Sequence, residues 1–330
     1  MKAFITGGSG YVGRNLIRYL LTQGDTLSCL SRSATSDKNI KDAAADKQQE
    51  VSIVRGDLED TNALTQMSGC DVVYHVAALV DFEQPWKEFL KINVQGTQNV
   101  VDAAKKAKVP KLIHLSTEAV CVRANHGLTN LDENTPTDPP QWAPYSKSKA
   151  MAEEIVKRAN GPDLKTAILR PRFIWGNDDT SALAGTIKAL QGGSFKWLTP
   201  LPVTNVCHVD NLTHAMRLAA EKASDGNVYF VTDGEPVNFK DFITSYVATQ
   251  DYHIPENLGS VPFWLAMSLA GILENVPFAP KFPGLNRQSI VLIGQDVTID
   301  DSKIRRELGY KPVITTDEGL RKTPKFINLD

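Results

Sequence analysis

Tyr145 and Lys149 stand four residues apart in the run YSKSK at 145–149. On a helix that spacing puts both side chains on one face. A phenol beside an ammonium suits reactions at an alcohol or ketone carbon. When hydride leaves an alcohol carbon, the hydroxyl must shed a proton. A tyrosine accepts that proton if its pKa is brought down from about 10, and a lysine cation close by favours the phenolate. Ser116 and Thr117 follow the strand-like segment 111–115. Thr117 is read as holding the substrate oxygen beside Tyr145.

A hydride needs a carrier, and TGGSGYVG at 6–13 is a loop suited to binding one. Gly8, Gly10 and Gly13 fit G-x-G-x-x-G, while Gly7, Gly10 and Gly13 fit G-x-x-G-x-x-G. The loop follows a short strand and opens a helix, the context a dinucleotide site requires. Glycine lets the backbone turn tightly, approach a pyrophosphate and pack the helix on the sheet. The helix start, with Tyr11 and Val12, then offers free N–H groups to the phosphates. In that setting Lys149 can hold the nicotinamide ribose, and Ser116 lines the nicotinamide pocket.

Cofactor choice turns on LSRS at 30–33, where the second strand ends without a carboxylate. Arg32 stands where an NAD site commonly places Asp or Glu. A guanidinium forks a phosphate, with Ser31 and Ser33 as added hydroxyl donors. NADP(H) is therefore preferred and NAD(H) stays open; the alternative for Arg32 is stacking on adenine or facing solvent. Asp57, in GDL at 56–58 with Leu58, is read as accepting from the adenine amino group. Its alternative is an Asx turn or a helix cap.

These groups need a scaffold. Segments 2–6, 26–31, 51–55, 72–76, 111–115 and 166–169 read as strands. Segments 11–22, 86–106 and 146–158 read as helices. Short apolar strands alternating with helices predict an α/β fold, a mostly parallel sheet covered on both faces. Asn93, inside 86–106, is placed to orient a water or a backbone carbonyl, or to bond a neighbouring helix. The second half is less regular. It reads as helices at 181–190, 212–222, 239–249 and 264–273, a small strand set including 228–231, and turns near Pro277, Pro280 and Pro283. Residues 1–172 form the expected dinucleotide-binding domain, with returning segments near 203–232. Residues 173–330 form the mostly substrate-binding, mainly helical region.

Composition narrows the function. The chain has 330 residues, 42% hydrophobic and 22% charged, as for an ordinary globular protein. A net charge of -2 gives no basic field for nucleic acid. Cys29, Cys70, Cys121 and Cys207 form no CxxC or zinc-ligand spacing. No metal is expected, and single apolar-context cysteines fit a reducing, cytoplasmic setting. The glycine loop at the start is read as leaving no room for a signal peptide. The uncharged stretch at 261–273 is too short to span a bilayer. It reads as a buried or substrate-covering helix, with weak peripheral membrane contact as the alternative.

The motifs together resemble the extended short-chain dehydrogenase/reductase superfamily, with its Rossmann-type doubly wound sheet. TGGSGYVG, GDL at 56–58, HVAA at 75–78, NVQGTQN at 93–99, LSTEAV at 115–120 and YSKSK carry the resemblance. LRPRFIWG at 169–176, HVDNLTHA at 208–215 and DSKIRRELGYKP at 301–312 extend it over essentially the whole chain. Within the superfamily the chain is most similar to the 3-beta-hydroxysteroid dehydrogenase-like branch, beside the NAD(P)-dependent epimerase/dehydratases. The resemblance implies Thr117, Tyr145 and Lys149 as catalytic residues. It implies adenine contact by Asp57 and nicotinamide contacts near Ala77, Ser116 and Pro171. It also implies a homodimer through 86–106 and 146–158. The activity implied is interconversion of an apolar ketone and a secondary alcohol; a nucleotide-sugar epimerase or dehydratase, or a non-catalytic dinucleotide-binding protein, is the alternative. Cys121 and Val122 replace the tyrosine and glycine usual in sugar enzymes, and Ala119 replaces the glutamate of the dehydratase pattern. Phe82, Phe173, Trp175 and Trp197 are candidates to line an apolar pocket. Arg172 and Arg217 are the candidate diphosphate clamps for the sugar alternative.

Overall fold

The computed structural model describes residues 1–123, 128–223, 226–276 and 284–327. The turns expected near Pro277, Pro280 and Pro283 lie outside them. In chain order the strands are β1 Lys2–Thr6, β2 Thr26–Ser31, β3 Val51–Arg55, β4 Val72–His75, β5 Lys111–Leu115, β6 Leu128–Leu131, β7 Lys165–Pro171 and β8 Ile174–Trp175. They continue as β9 Trp197–Thr199, β10 Val203–Thr204, β11 Cys207–His208, β12 Asn227–Val231, β13 Val237–Asn238, β14 Ser260–Pro262 and β15 Val297–Ile299. The helices are α1 Tyr11–Thr22, α2 Ala34–Ala44, α3 Thr61–Thr65, α4 Trp86–Phe89, α5 Gly96–Lys106, α6 Pro144–Ala159 and α7 Ala182–Gln191. After them come α8 Val209–Lys222, α9 Phe239–Ala248, α10 Phe263–Asn275, α11 Arg287–Gly294, α12 Ser302–Leu308 and α13 Thr316–Lys322.

Seven strands form one sheet in the order β3-β2-β1-β4-β5-β7-β12, every pair parallel. All four residues of β4 are buried, as are four of the five in β1. Strands apolar on both faces belong in a sheet covered twice. On one face α1 and α8 pack through Leu16, Ile17, Leu20, Leu212 and Met216. On the other, α5 and α6 pack through Val100, Val101, Ala104 and Val156. The apolar positions of α1 recur three and four apart, so its stripe meets the sheet while the opposite face stays polar. Each such side chain contributes roughly 1.5–3 kcal/mol on burial.

Residues 228–231 do not join a small separate strand set. They extend the large sheet, because Asn227–Val231 pairs in parallel with Ala167–Pro171. A second sheet, β13-β10-β15-β6, joins Leu128–Leu131 to three strands of the later half, beside the short pairs β11-β8 and β14-β9. The helical stretch 86–106 runs from α4 to α5 through a π-type segment at Leu90–Gln95, which contains Asn93. Helix α10 is not buried. Ala266 and Ala270 face inward, but Trp264 is 68% and Ile272 61% exposed. Among the described residues no helix is long and apolar enough to cross a membrane.

Candidate active site

The glycine loop shapes one end of the site. Gly7 turns the chain at φ +75°, and a Cβ there would lie 2.6 Å from the Ala77 nitrogen. A Cβ on Gly13 would overlap the Gly7 carbonyl oxygen. Only bare backbone lets the loop and α1 settle this close to the strand ends. Gly7, Gly10, Tyr11, Val12 and Gly13 line a cavity of about 1740 Å³. Gly8 does not; its Cβ direction meets Ile17 and Cys29 beneath the loop, so it serves packing. The cavity runs on past Arg32, Asp57, Leu58, Ala77, Ser116, Thr117 and Pro171 to Tyr145 and Lys149. A cradle that any Cβ would fill, a helix N-terminus and a row of strand ends fit a dinucleotide.

At the adenosine rim Arg32 is exposed and lines the cavity. Ser31 is already engaged as a donor, while Ser33 caps the helix that follows. The Ser31 hydroxyl donates to Asp37 Oδ1 at 2.5 Å, and Ser33 Oγ accepts from Ser36 N–H at 3.2 Å as the N-cap of α2. A short polar side chain at a helix start is drawn to free backbone N–H groups. Asp57 lines the cavity while its Oδ1 accepts from the N–H of Glu59 at 2.8 Å and of Asp60 at 3.2 Å. The Asx turn and a cavity-facing carboxylate thus coexist.

Helix α6 sets the reacting end. Pro144 starts it at a position where no N–H is needed. Tyr145 N–H donates to Gln288 Oε1 at 3.2 Å, and the ring packs 5.2 Å from Phe82 and 6.5 Å from Phe89. One turn on, Lys149 Nζ donates to the Leu115 carbonyl at 2.8 Å and to His114 Nε2 at 3.3 Å. Asn93 takes the backbone-holding role. It accepts from Leu79 N–H at 2.7 Å, donates to Leu79 O at 3.0 Å and donates to Ser148 Oγ at 2.9 Å. Ser148 in turn donates to the Tyr145 carbonyl at 2.7 Å. The hydroxyl of Ser116, at the end of β5, donates to Glu153 Oε1 at 2.6 Å. Glu153 also holds Arg170 through two bonds of 2.8 and 2.6 Å.

Electrostatics follow from burial. Desolvation pushes the Tyr145 phenol above its usual value; the Glu118 charge adds to this and the Thr117 hydroxyl opposes it. The lowering expected from Lys149 is not seen, because that ammonium turns to Leu115 and His114. Lys149 itself is pushed down to about 8 by burial, with the Glu153 carboxylate opposing. Burial and the Lys149 charge hold His114 well below its usual value, so it stays neutral and accepts from the ammonium.

Other expected residues part ways. Phe82 and Phe173 line the cavity. Trp175 is fully buried against His208, Phe242 and Tyr246, and Trp197 packs on Phe195; both serve the core. Arg217 pairs with Asp25 and Glu221 on α8, away from the cavity lining. Arg172 lines the cavity, but its guanidinium is held by Glu118, Thr204 and the Leu292 carbonyl. His114, Gln288 and the inner faces of α7 and α11 are not singled out by sequence, whereas the stretch 261–273 is read there as substrate-covering, and Val261, Leu265, Ala266 and Leu269 line the cavity. His114 sits three residues before Thr117 on the same strand run, the one local signal that pointed to it.

This fold and site define an NAD(P)-dependent enzyme of the extended short-chain dehydrogenase/reductase superfamily. Residues 4–261 match the 3-beta hydroxysteroid dehydrogenase/isomerase family, and the chain belongs to it. It is 39% identical to a 4-hydroxy-2-methyl-3-oxo-4-farnesyl-3,4-dihydroquinoline-1-oxide ketoreductase from Stigmatella aurantiaca, over 97% of this chain and 95% of that one. It is 29% identical to a 2-alkyl-3-oxoalkanoate reductase from Stenotrophomonas maltophilia (strain K279a), covering 98% of each. Among solved structures, a dTDP-glucose 4,6-dehydratase from Streptomyces venezuelae with NAD bound superposes with TM-score 0.76 at 22% identity, covering 98% and 95% of the two chains. A UDP-glucuronic acid 4-epimerase from Bacillus cereus in complex with NAD gives TM-score 0.73 at 18% identity, covering 98% and 97%. At such identities these two show the shared fold.

Proposed function

We propose that the chain is an NADP(H)-preferring reductase that interconverts an apolar ketone and a secondary alcohol. One observation carries this reading. Tyr145 stands in a cavity whose walls include Val80, Phe82, Phe173, Ile243, Leu265 and Leu269. Such a wall holds a hydrocarbon body and leaves one oxygen to be recognised at the polar floor. The ketoreductase and alkyl-oxoalkanoate reductase relatives support it by the substrates their names state.

The dinucleotide supplies the hydride when bound. Tyr145 gives its phenolic proton to the carbonyl oxygen in reduction and takes it back in oxidation. In reduction the raised phenol pKa keeps that proton in place until the oxygen arrives. Lys149 holds the ribose and supplies positive charge. Thr117 meets the same substrate oxygen.

A second reading, a nucleotide-sugar dehydratase or epimerase, draws on the solved structures of the same fold and on Lys188 and Lys196, which line the cavity and are cations available to a diphosphate. Against it, Arg172 is engaged and Arg217 lies elsewhere. Oxidation of NADPH by a series of apolar ketones, beside NAD-dependent conversion of UDP- and dTDP-sugars, separates the two.

A pH profile tests Lys149. Its charge is present below about 8 and lost as pH rises through that value. The kcat/KM of the free enzyme is expected to fall on the alkaline side of about 8. Lys149→Arg is expected to move that limb upward, because a guanidinium stays charged. An unmoved limb in that variant contradicts the assignment.

A further inference from the structure

Thr117 does not face the reacting centre as a free hydroxyl. Its Oγ1 donates to Glu118 Oε2 at 2.8 Å, and it accepts from Ala119 N–H at 3.2 Å. Glu118 is 3% exposed, so no bulk water competes for that carboxylate. Its other oxygen accepts from Arg172 Nη1 at 2.9 Å. Arg172 is itself fixed, donating from Nε to Thr204 Oγ1 at 3.0 Å and from Nη2 to the Leu292 carbonyl. Buried charges of this kind persist only when paired and hydrogen-bonded throughout. A carboxylate so held is acceptor-only. The single hydroxyl proton of Thr117 is therefore drawn to Glu118, while its oxygen stays within hydrogen-bonding reach of the Tyr145 phenol.

We infer that Glu118, anchored by Arg172, is a positioning residue that turns Thr117 into a hydrogen-bond acceptor toward the substrate oxygen. An acceptor grips an alcohol O–H and gives nothing to a carbonyl oxygen. The ketone then takes its one strong donor from Tyr145, and the alcohol is held by Thr117 as it forms. The oxygen contact expected of Thr117 thus acquires a direction. Leu292, which lines the cavity on α11, is tied through Arg172 to the same pair. This inference rests on the ketone–alcohol reading.

Glu118→Gln reverses the polarity. Arg172 still needs an acceptor, so the amide oxygen turns to it and the amide nitrogen donates to Thr117 Oγ1. The hydroxyl proton of Thr117 is then released into the cavity. The experiment measures two complexes that cannot turn over: the alcohol on enzyme with NADPH, and the ketone on enzyme with NADP⁺. In Glu118→Gln the alcohol is expected to bind about three- to ten-fold more weakly and the ketone about as much more tightly, a size typical of one hydrogen bond. In a Thr117→Val background the same substitution is expected to leave the ratio unchanged. A ratio unmoved by Glu118→Gln, or moved equally without the Thr117 hydroxyl, overturns the inference. Should Glu118→Gln not fold, Thr117→Val alone decides: it is expected to cost alcohol affinity and spare the ketone, and an equal or larger loss for the ketone overturns it. Wild-type failure to reduce any ketone overturns the ketone–alcohol reading instead, so the two failures are distinguishable.

Discussion

Tyr145→Phe is expected to lower kcat by about 10²–10⁴-fold, the range for losing a positioned acid or base. The ring should stay where it is. Phe82 and Phe89 hold its faces and edges, and Gln288 holds its backbone N–H. None of those contacts involves the phenolic oxygen. Cofactor affinity is thus expected to be nearly unchanged, and the loss should appear in kcat and kcat/KM alike, as for a contact made in the transition state. Steady-state kinetics with a cofactor-binding titration check both parts. A kcat close to wild type would remove Tyr145 from the mechanism, and a parallel loss of cofactor affinity would recast it as a binding residue.

Arg32→Ala is expected to erase most of an NADP preference of roughly ten- to a hundred-fold in kcat/KM, mainly through KM for NADPH. A 2'-phosphate carries up to two negative charges, and a hydrogen bond to a charged group is worth about 1.5–3 kcal/mol. Each 1.4 kcal/mol is about tenfold, and exposure with salt trims the gain. Arg32 has no ion-pair partner among the described residues and lines the cavity rim, while Asp37, the nearest acid along the chain, is paired with Arg55 and takes the Ser31 hydroxyl. Nothing adjacent in sequence repels a phosphate there. The expected preference is assigned to Arg32, because the Ser31 hydroxyl is engaged by Asp37 and Ser33 caps α2. Kinetics of both proteins with NADPH and NADH decide the point. An equal loss with both cofactors would mean that Arg32 stacks on adenine.

The parts legible in sequence are those whose chemistry is local. The glycine loop and the start of its helix lie within eight residues, Tyr145 and Lys149 within about one turn, and Thr117 at a strand end. Their geometry follows from the elements they sit on. The missing parts are long-range. Gln288 reaches Tyr145 across 143 residues, and Arg172 meets Glu118 across 54. No spacing encodes such pairs.

Residue type also says little about direction. Trp175 and Trp197 have the bulk to line a pocket, yet they fill the core, whereas Phe82 and Phe173 reach the cavity. Gly8 matches the dinucleotide pattern as well as Gly7 does, but only Gly7 needs a positive φ beside Ala77. Strands of two or three residues, such as β10 and β15, are too short to show a period of two. The small strand set expected in the second half therefore exists with other members, while 228–231, the one named, joins the large sheet.

Net hydride delivery from NADPH to a ketone carbon is the reaction to be tested. The most direct measurement supplies NADPH deuterated at the transferable nicotinamide position and an apolar ketone, then follows the product by mass spectrometry. The expected products are a secondary alcohol with one deuterium on the carbinol carbon and stoichiometric NADP⁺. Conversion of a UDP- or dTDP-sugar with no net cofactor oxidation, and no label in any alcohol across the ketone series, would contradict it.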